Sequence, residues 1–280
     1  PKICVWNVET LECVATLEGM LRRGVRHLAF SPCGKYLAGV GEDDNNTVAL
    51  YDWAESTLVA SAAGGTNKCL GVAVSEGGAR IMQMMHNALQ FHTRAGRTLS
   101  TRRAFLSTKG GRLQPFWCGG FLSADTSFVG THSGFIYIFG SRGDLIRKVK
   151  AHRGDSIYCC SVDKLGRVLL GTKRGEVSIW RVTGSKRTAW SREGSSSVPK
   201  TCIKLQSKKT ADVRSVSAHP DSDQLLFSTR TGDVVLTNSA GEDPTIHLSG
   251  HYRYELWGLA THPTNADMVA TVGDDATLRI

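Results

Sequence analysis

Few side chains in this 280-residue chain are spaced for covalent chemistry. Ser133 follows His132 in the stretch Gly130-Thr131-His132-Ser133-Gly134. A serine nucleophile needs an imidazole within hydrogen-bond reach, and sequence neighbours on a strand or turn point apart. His86 and His92 could share one face of a strand, but no third or fourth ligand stands at a metal-binding spacing. The eight cysteines, at 4, 13, 33, 69, 118, 159, 160 and 202, form no Cys-x-x-Cys pair. They read as buried free thiols of a cytoplasmic protein rather than as a disulfide framework. Gly-x-Ser-x-Gly, His-Glu-x-x-His, the P-loop and Gly-x-Gly-x-x-Gly are all missing from the sequence. The expectation is a protein without catalytic residues, metal or cofactor.

What the chain does carry is charge, unevenly spread. Its net charge is +9. Residues 94–112 hold Arg94, Arg97, Arg102, Arg103, Lys109 and Arg112 with no acid, and residues 181–209 hold eight basic residues against Glu193 alone. The remainder is slightly acidic, so the excess is local and points to an acidic partner. Nucleic acid is the weaker choice, since no aromatics alternate with arginine along these stretches. No apolar run reaches the length of a membrane span, and Pro1-Lys2-Ile3-Cys4-Val5-Trp6 reads as a strand rather than a leader peptide.

These residues must be held by short strands. Apolar and polar residues alternate with period two, and Gly (30) greatly outnumbers Pro (7). Seven segments align: Cys4–Trp6, Val48–Tyr51, Leu89–His92, Ile136–Phe139, Val177–Trp180, Val234–Thr237 and Leu278–Ile280. Most follow a small or turn-forming residue, namely Asn46, Asn87, Gly134, Gly175, Gly232 or Asp275-Ala276. Two strands precede each such segment and one follows, as in Val25–Ser31 and Tyr36–Val40 before Val48, and Leu58–Ser61 after Tyr51. Four short antiparallel strands recurring every 40 to 50 residues describe a β-propeller blade. The fold class is therefore all-β: five complete blades with part-blades at both ends, residues 2–17 giving two strands and residues 256–280 three. The longest interval is expected to hold an inserted basic loop, Thr183–Lys209, with a flexible Gly194-Ser195-Ser196-Ser197. The whole of 1–280 is expected to be one propeller, itself a piece of a longer protein.

The repeats resemble degenerate WD repeats. Gly250-His251 and Ala151-His152 stand at the Gly-His position, and Trp6, Tyr51 and Trp180 at the Trp position. Only Tyr51 is followed by Asp, Asp52, so an incomplete His–Asp network is expected, with His152 and His251 as structural hydrogen-bonding residues. A narrower likeness lies in Gly250-His251-Tyr252-Arg253-Tyr254-Glu255-Leu256-Trp257-Gly258-Leu259-Ala260-Thr261-His262-Pro263. It resembles a segment of the echinoderm microtubule-associated protein-like family, as do Val48–Trp53 and Ala151–Tyr158. That resemblance implies the first propeller of a tandem pair, a cytoplasmic and cytoskeletal setting, and tubulin or microtubules as partner. A general WD scaffold for peptides or signalling proteins is the alternative. Tyr252, Arg253 and Tyr254, with Arg153, Lys173, Arg174 and Arg230, fall in loops expected on one face, where aromatic and arginine side chains suit a binding hot spot. Trp257 is expected to be buried on an innermost strand. Arg102, Arg103, Lys208 and Lys209 mark a second basic surface. The sequence leaves the oligomeric state open.

Overall fold

A computed structural model of the chain describes residues 1–184, 188–197, 212–219, 221–242, 244–251, 256–265 and 267–280, with only the backbone of Thr108, Leu256 and Trp257. The chain opens with a two-stranded sheet, β1 (Ile3–Trp6) and β2 (Cys13–Leu17). Blade 1 follows as β3 (Val25–Phe30), β4 (Tyr36–Gly41), β5 (Val48–Asp52) and β6 (Thr57–Ala62). Blade 2 is β7 (Cys69–Val74), β8 (Arg80–Met85), β9 (Leu89–Ala95) and β10 (Thr98–Arg103). Blade 3 is β11 (Phe116–Phe121), β12 (Ser127–Thr131), β13 (Phe135–Phe139) and β14 (Leu145–Lys150). Blade 4 is β15 (Ile157–Val162), β16 (Val168–Thr172), β17 (Glu176–Thr183) and β18 (Ala189–Ser197). Blade 5 is β19 (Val213–Ala218), β20 (Gln224–Thr229), β21 (Asp233–Asn238) and β22 (Thr245–Ser249). A three-stranded sheet ends the chain: β23 (Leu256–Thr261), β24 (Val269–Gly273) and β25 (Leu278–Arg279).

Within each blade every strand pairs antiparallel with the next in sequence. The first strands of successive blades adjoin one another, β3 with β7, β7 with β11, β11 with β15 and β15 with β19. They therefore surround a common axis and the later strands fan outward, which is propeller geometry. Blades 1 and 2 are also joined at the rim, where β10 pairs in parallel with β6 at Thr98 and Ser61. The only helical turn among the described residues is Ser107–Lys109.

The hydrophobic cores lie between sheets, and each draws on two neighbours. Val168 and Leu170 enter the core shared by blades 3 and 4, whereas Leu169 enters the core shared by blades 4 and 5. On β13, Ile136 and Ile138 face blade 4 while Tyr137 and Phe139 face blade 2. Period-two alternation sends successive side chains to opposite faces, and here both faces are buried. Each fully buried Leu, Ile or Phe contributes about 1.5–3 kcal/mol. On β3 the covering is partial: β1 and β2 pack Ile3 and Leu17 on Leu37, Ala49 and Tyr51, but Leu28 and Phe30 stay half exposed.

The turn residues read from sequence mostly have the backbone that makes them turns. Asn46, Gly134, Gly175, Gly232 and Ala276 all have positive φ, whereas Asn87 does not belong to this set. At Gly134 (φ +81) a Cβ would stand 1.8 Å from the carbonyl oxygen of His152. The Gly134 carbonyl in turn accepts from the amides of Ala151 and His152 at 3.1 and 2.9 Å. One blade's central turn is thus stitched to the next blade's entry loop.

The segment expected as a basic loop is a strand over much of its length. β18 takes in Gly194–Ser197 and pairs along β17 from Thr183↔Ala189 to Glu176↔Ser197. The glycine–serine composition disfavours a strand locally, but a ladder to β17 satisfies its backbone and prevails. Residues 185–187 and 198–209 of the expected loop lie outside those described. The cysteines also divide differently: Cys69, Cys118 and Cys159 are buried, while Cys4, Cys13 and Cys33 are exposed thiols.

Arg80 staples blade 2 to blade 3. It is 8% exposed. Its guanidinium donates to the carbonyls of Ala124 (3.1 Å) and Gly140 (3.5 Å), and lies 5.3 and 5.5 Å from the ring centres of Phe91 and Phe121. Burial lowers its pKa from the usual arginine value. Removing it leaves a cavity and the Ala124 carbonyl without its donor, while Gly140 keeps the amide of Gly143. Arg80→Ala is expected to lower stability by about 2–4 kcal/mol, read as a shift of the urea midpoint. An unchanged midpoint would show that the staple is dispensable.

Candidate functional site

In a blade of four antiparallel strands, the turn between the second and third strands and the connection to the next blade share one end of the ring. That end holds Arg153 in the 151–156 connection, Lys173 and Arg174 between β16 and β17, and Arg230 between β20 and β21. All four side chains are exposed. These four therefore lie at one end of the ring, while Tyr252, Arg253 and Tyr254 lie outside the described residues. Arg153, Lys173 and Arg174 form no side-chain ion pair among the described residues. Arg230 stands 3.9 Å from Asp212, its guanidinium 64% exposed.

The same end carries a feature with no counterpart in the sequence reading. Every first strand, β3, β7, β11, β15, β19 and β23, shifts register at its second residue. The skipped residues are Arg26, Leu70, Trp117, Tyr158, Arg214 and Trp257. A bulge leaves the extra residue out of the ladder and re-aims its side chain. Three of them form a continuous contact around the axis. Trp117 and Tyr158 meet edge to face at 5.1 Å, and the Arg214 guanidinium lies over the Tyr158 ring at 4.7 Å. Arg214 also donates to Asp212 at 3.1 Å, and Arg26 pairs with Glu42 at 3.3 Å. A signal existed in sequence: each first strand starts with an apolar residue followed by a large one, as in Phe116-Trp117 and Ile157-Tyr158. Strand-period reading passes over it because the bulge breaks the period. Trp257 lies on β23, the first strand of its sheet, but its side chain is outside those described.

The entry-loop histidines are held by hydrogen bonds. His152 is buried, and Nδ1 donates to Glu176 at 3.2 Å. Its Nε2 therefore accepts from the Ser178 hydroxyl at 2.8 Å, and that hydroxyl also accepts from Trp180 Nε1 at 2.9 Å. Burial lowers the His152 pKa against the opposing pull of Glu176. His251 meets Asp275 through Nδ1 and Thr271 through Nε2, each at 2.9 Å. The incomplete His–Asp network is thus completed in two blades, by Glu176 and Asp275. Glu176 opens the third strand β17 and Asp275 lies in the turn before β25, so neither follows the Trp position.

The sequence neighbours weighed for catalysis are engaged elsewhere. His132 Nδ1 contacts Ser156 at 3.0 Å, and the Ser133 hydroxyl contacts Thr131 at 3.3 Å. His92 is wholly buried between Thr101 (2.9 Å) and Gln83 (3.2 Å), and Gln83 in turn donates to the Asn46 carbonyl. Among the described residues no group of three His, Cys, Asp or Glu could hold a metal ion.

The second basic surface sits on the outer rim. Arg102 and Arg103 are exposed on β10, and Lys208 and Lys209 lie outside the described residues. The chain leaving β10 crosses to blade 3, where Phe105 exchanges backbone hydrogen bonds with Gly143 and Leu145 and Gly110 accepts from Lys148. The crossing packs the Ser107–Lys109 turn against β14, which carries Arg147, Lys148 and Lys150, so Lys109 joins a basic strand distant in sequence.

Comparisons with known proteins agree with this architecture. The family described as WD domain, G-beta repeat matches residues 11–52. Echinoderm microtubule-associated protein-like 2 of Homo sapiens is 26% identical over 302 residues, covering 100% of this chain and 41% of that protein. The 77 kDa echinoderm microtubule-associated protein of Lytechinus variegatus is 24% identical, covering 98% of this chain and 40% of its own length. The chain thus spans about two fifths of these relatives. Among solved structures, the Cps50 (Swd1) beta-propeller domain of Myceliophteria thermophila superposes with a TM-score of 0.72 at 14% identity, covering 99% of this chain and 90% of that one. The fold is a WD-type β-propeller, and the whole-chain relatives are microtubule-associated protein-like proteins.

The buried histidines predict a pH dependence. Burial holds His92 down at about 4, against an ordinary 6.5. A histidine depressed on folding supports stability fully above about pH 6.5, and that support is lost as pH falls towards 4. For His92 the loss amounts to about 3 kcal/mol, and the lowered His27 and His152 act in the same direction. Urea unfolding at stepped pH should show this decline, and His92→Asn should flatten it. Equal slopes in the two proteins would contradict the assignment.

Proposed function

We propose that this WD-repeat propeller, similar over its whole length to echinoderm microtubule-associated protein-like proteins, is a non-catalytic interaction module that binds tubulin, as soluble dimer or microtubule, in the cytoplasm. The whole-chain match to relatives named for microtubule association carries the reading. The charge distribution supports it, because an acidic partner meets exposed cations at the ring end (Arg153, Lys173, Arg174, Arg230) and on the rim (Arg102, Arg103). We place Tyr252, Arg253 and Tyr254 with the first set, and Lys208 and Lys209 with the second. The chain is read as one propeller of a longer tandem protein.

The mechanism is rigid display. Turns such as Lys173-Arg174 are fixed by buried strands on either side, with Val168–Thr172 wholly buried. Little ordering entropy is then lost when a partner docks. Exposed charges chiefly speed encounter and weaken with salt.

Microtubule co-sedimentation tests the assignment. Joint replacement of Arg153, Lys173, Arg174 and Arg230 by Glu is expected to weaken binding at low salt by about tenfold or more. Arg102→Glu with Arg103→Glu reports on the rim. Wild-type protein that stays in the supernatant would overturn the tubulin reading.

A further inference from the structure

We infer that the bulged ladder Trp117–Tyr158–Arg214 is the recognition element of a peptide site, and that the site takes an extended acidic segment carrying an aromatic side chain. The inference rests on the partner-binding reading above and names the chemistry at one end of the ring.

Three observations carry it. The bulge recurs at the same residue of all six first strands. Each leaves one residue outside the ladder, and none of the six is needed to continue its sheet. At three consecutive strands these residues are large and touch one another, with Trp117 and Tyr158 half-buried and Arg214 exposed. The buried indole N–H of Trp117 has no acceptor among the described residues, and the ring is held by its edge-to-face contact with Tyr158. Rigid aromatic side chains beside arginine are what binding hot spots are made of.

Charge selects the guest. Several acids at this end are held by cations or amides: Asp212 accepts from Arg214, the buried Asp155 accepts through Oδ2 from the backbone amide of Arg174, Glu42 pairs with Arg26, and Asp44 pairs with Arg23. The outward side chains around the ladder are Arg153, Lys173, Arg174 and Arg230. A carboxylate-rich backbone therefore finds cations on its path, and its aromatic residue finds Trp117 and Tyr158. Nucleobases fit less well. The two rings meet at 74° and Arg214 covers one face of Tyr158, which leaves no parallel stack of open faces.

Fluorescence anisotropy with a labelled glutamate-rich peptide holding one central tyrosine tests the site. Companion probes replace that tyrosine with alanine, replace the glutamates with lysine, or substitute a short oligothymidine. The wild-type protein should bind the first probe, prefer it about tenfold over the alanine version, and reject the lysine version. Tyr158→Ala should remove the preference for tyrosine, and Tyr158→Phe should keep it. Arg174→Glu, on an exposed turn, should weaken the acidic probe whatever Tyr158→Ala does to folding. Lys164→Glu, on the exposed β15–β16 turn at the other end of the ring, should change nothing. The inference falls if a folded Tyr158→Ala protein retains the tyrosine preference, if Arg174→Glu binds as wild type, or if oligothymidine binds best. Peptide binding that depends on Tyr158, without co-sedimentation, would uphold this site and sink the tubulin reading. Co-sedimentation indifferent to Tyr158→Ala and Arg174→Glu would do the reverse.

Discussion

Each sheet in this protein is apolar on both sides, and everything else follows from that. Leu169 belongs to one core and its neighbours Val168 and Leu170 to another. A strand of this kind has no face to give to water, so a blade is stable only between two others. The interior is consequently a series of slabs, one at each interface, in which Tyr137, Phe116 and Phe139 on one side or Val213 and Phe227 on another are almost wholly enclosed. Side chains at the ends of the strands inherit their positions from these slabs, which is why turns of only two or three residues can present fixed charges.

The polar interior obeys the same constraint. A buried imidazole is tolerable when both nitrogens are used, and His92 and His152 each find two partners. Arg80 is a starker case, a cation enclosed by two rings and two carbonyls without an ion-pairing carboxylate. Such groups specify which blades sit together, because their partners lie in the neighbouring blade: Ala124 and Gly140 for Arg80, Asn46 for Gln83.

Much of the architecture was legible in sequence because two periods reinforce each other. Alternation within Ile136–Phe139 marks a strand buried on both faces, and the recurrence of such strands after Gly134, Gly175 and Gly232 marks a repeat. β18 was not legible, since Gly194–Ser197 has strand geometry imposed by its partner β17. The exposed cations of the ring end could be placed from topology alone. Trp117, Tyr158 and Arg214 could not, because an inserted residue shifts the alternation at the very point where these side chains meet. The convergence of residues 102–112 with β14 was hidden for another reason: it depends on the path of a connection, which leaves no periodic trace.

The rim junction between β6 and β10 sets blades 1 and 2 apart from the rest. Here Thr98 and Ser61 pair strand to strand and carry one hydrogen-bonded sheet from the first blade into the second, eight strands without a break. Transient thermal opening between these two blades must break this junction as well as the apolar seam, which makes the pair a fused plate. The seams between later blades are where the wheel gives way first, and slow amide exchange would concentrate in the fused plate.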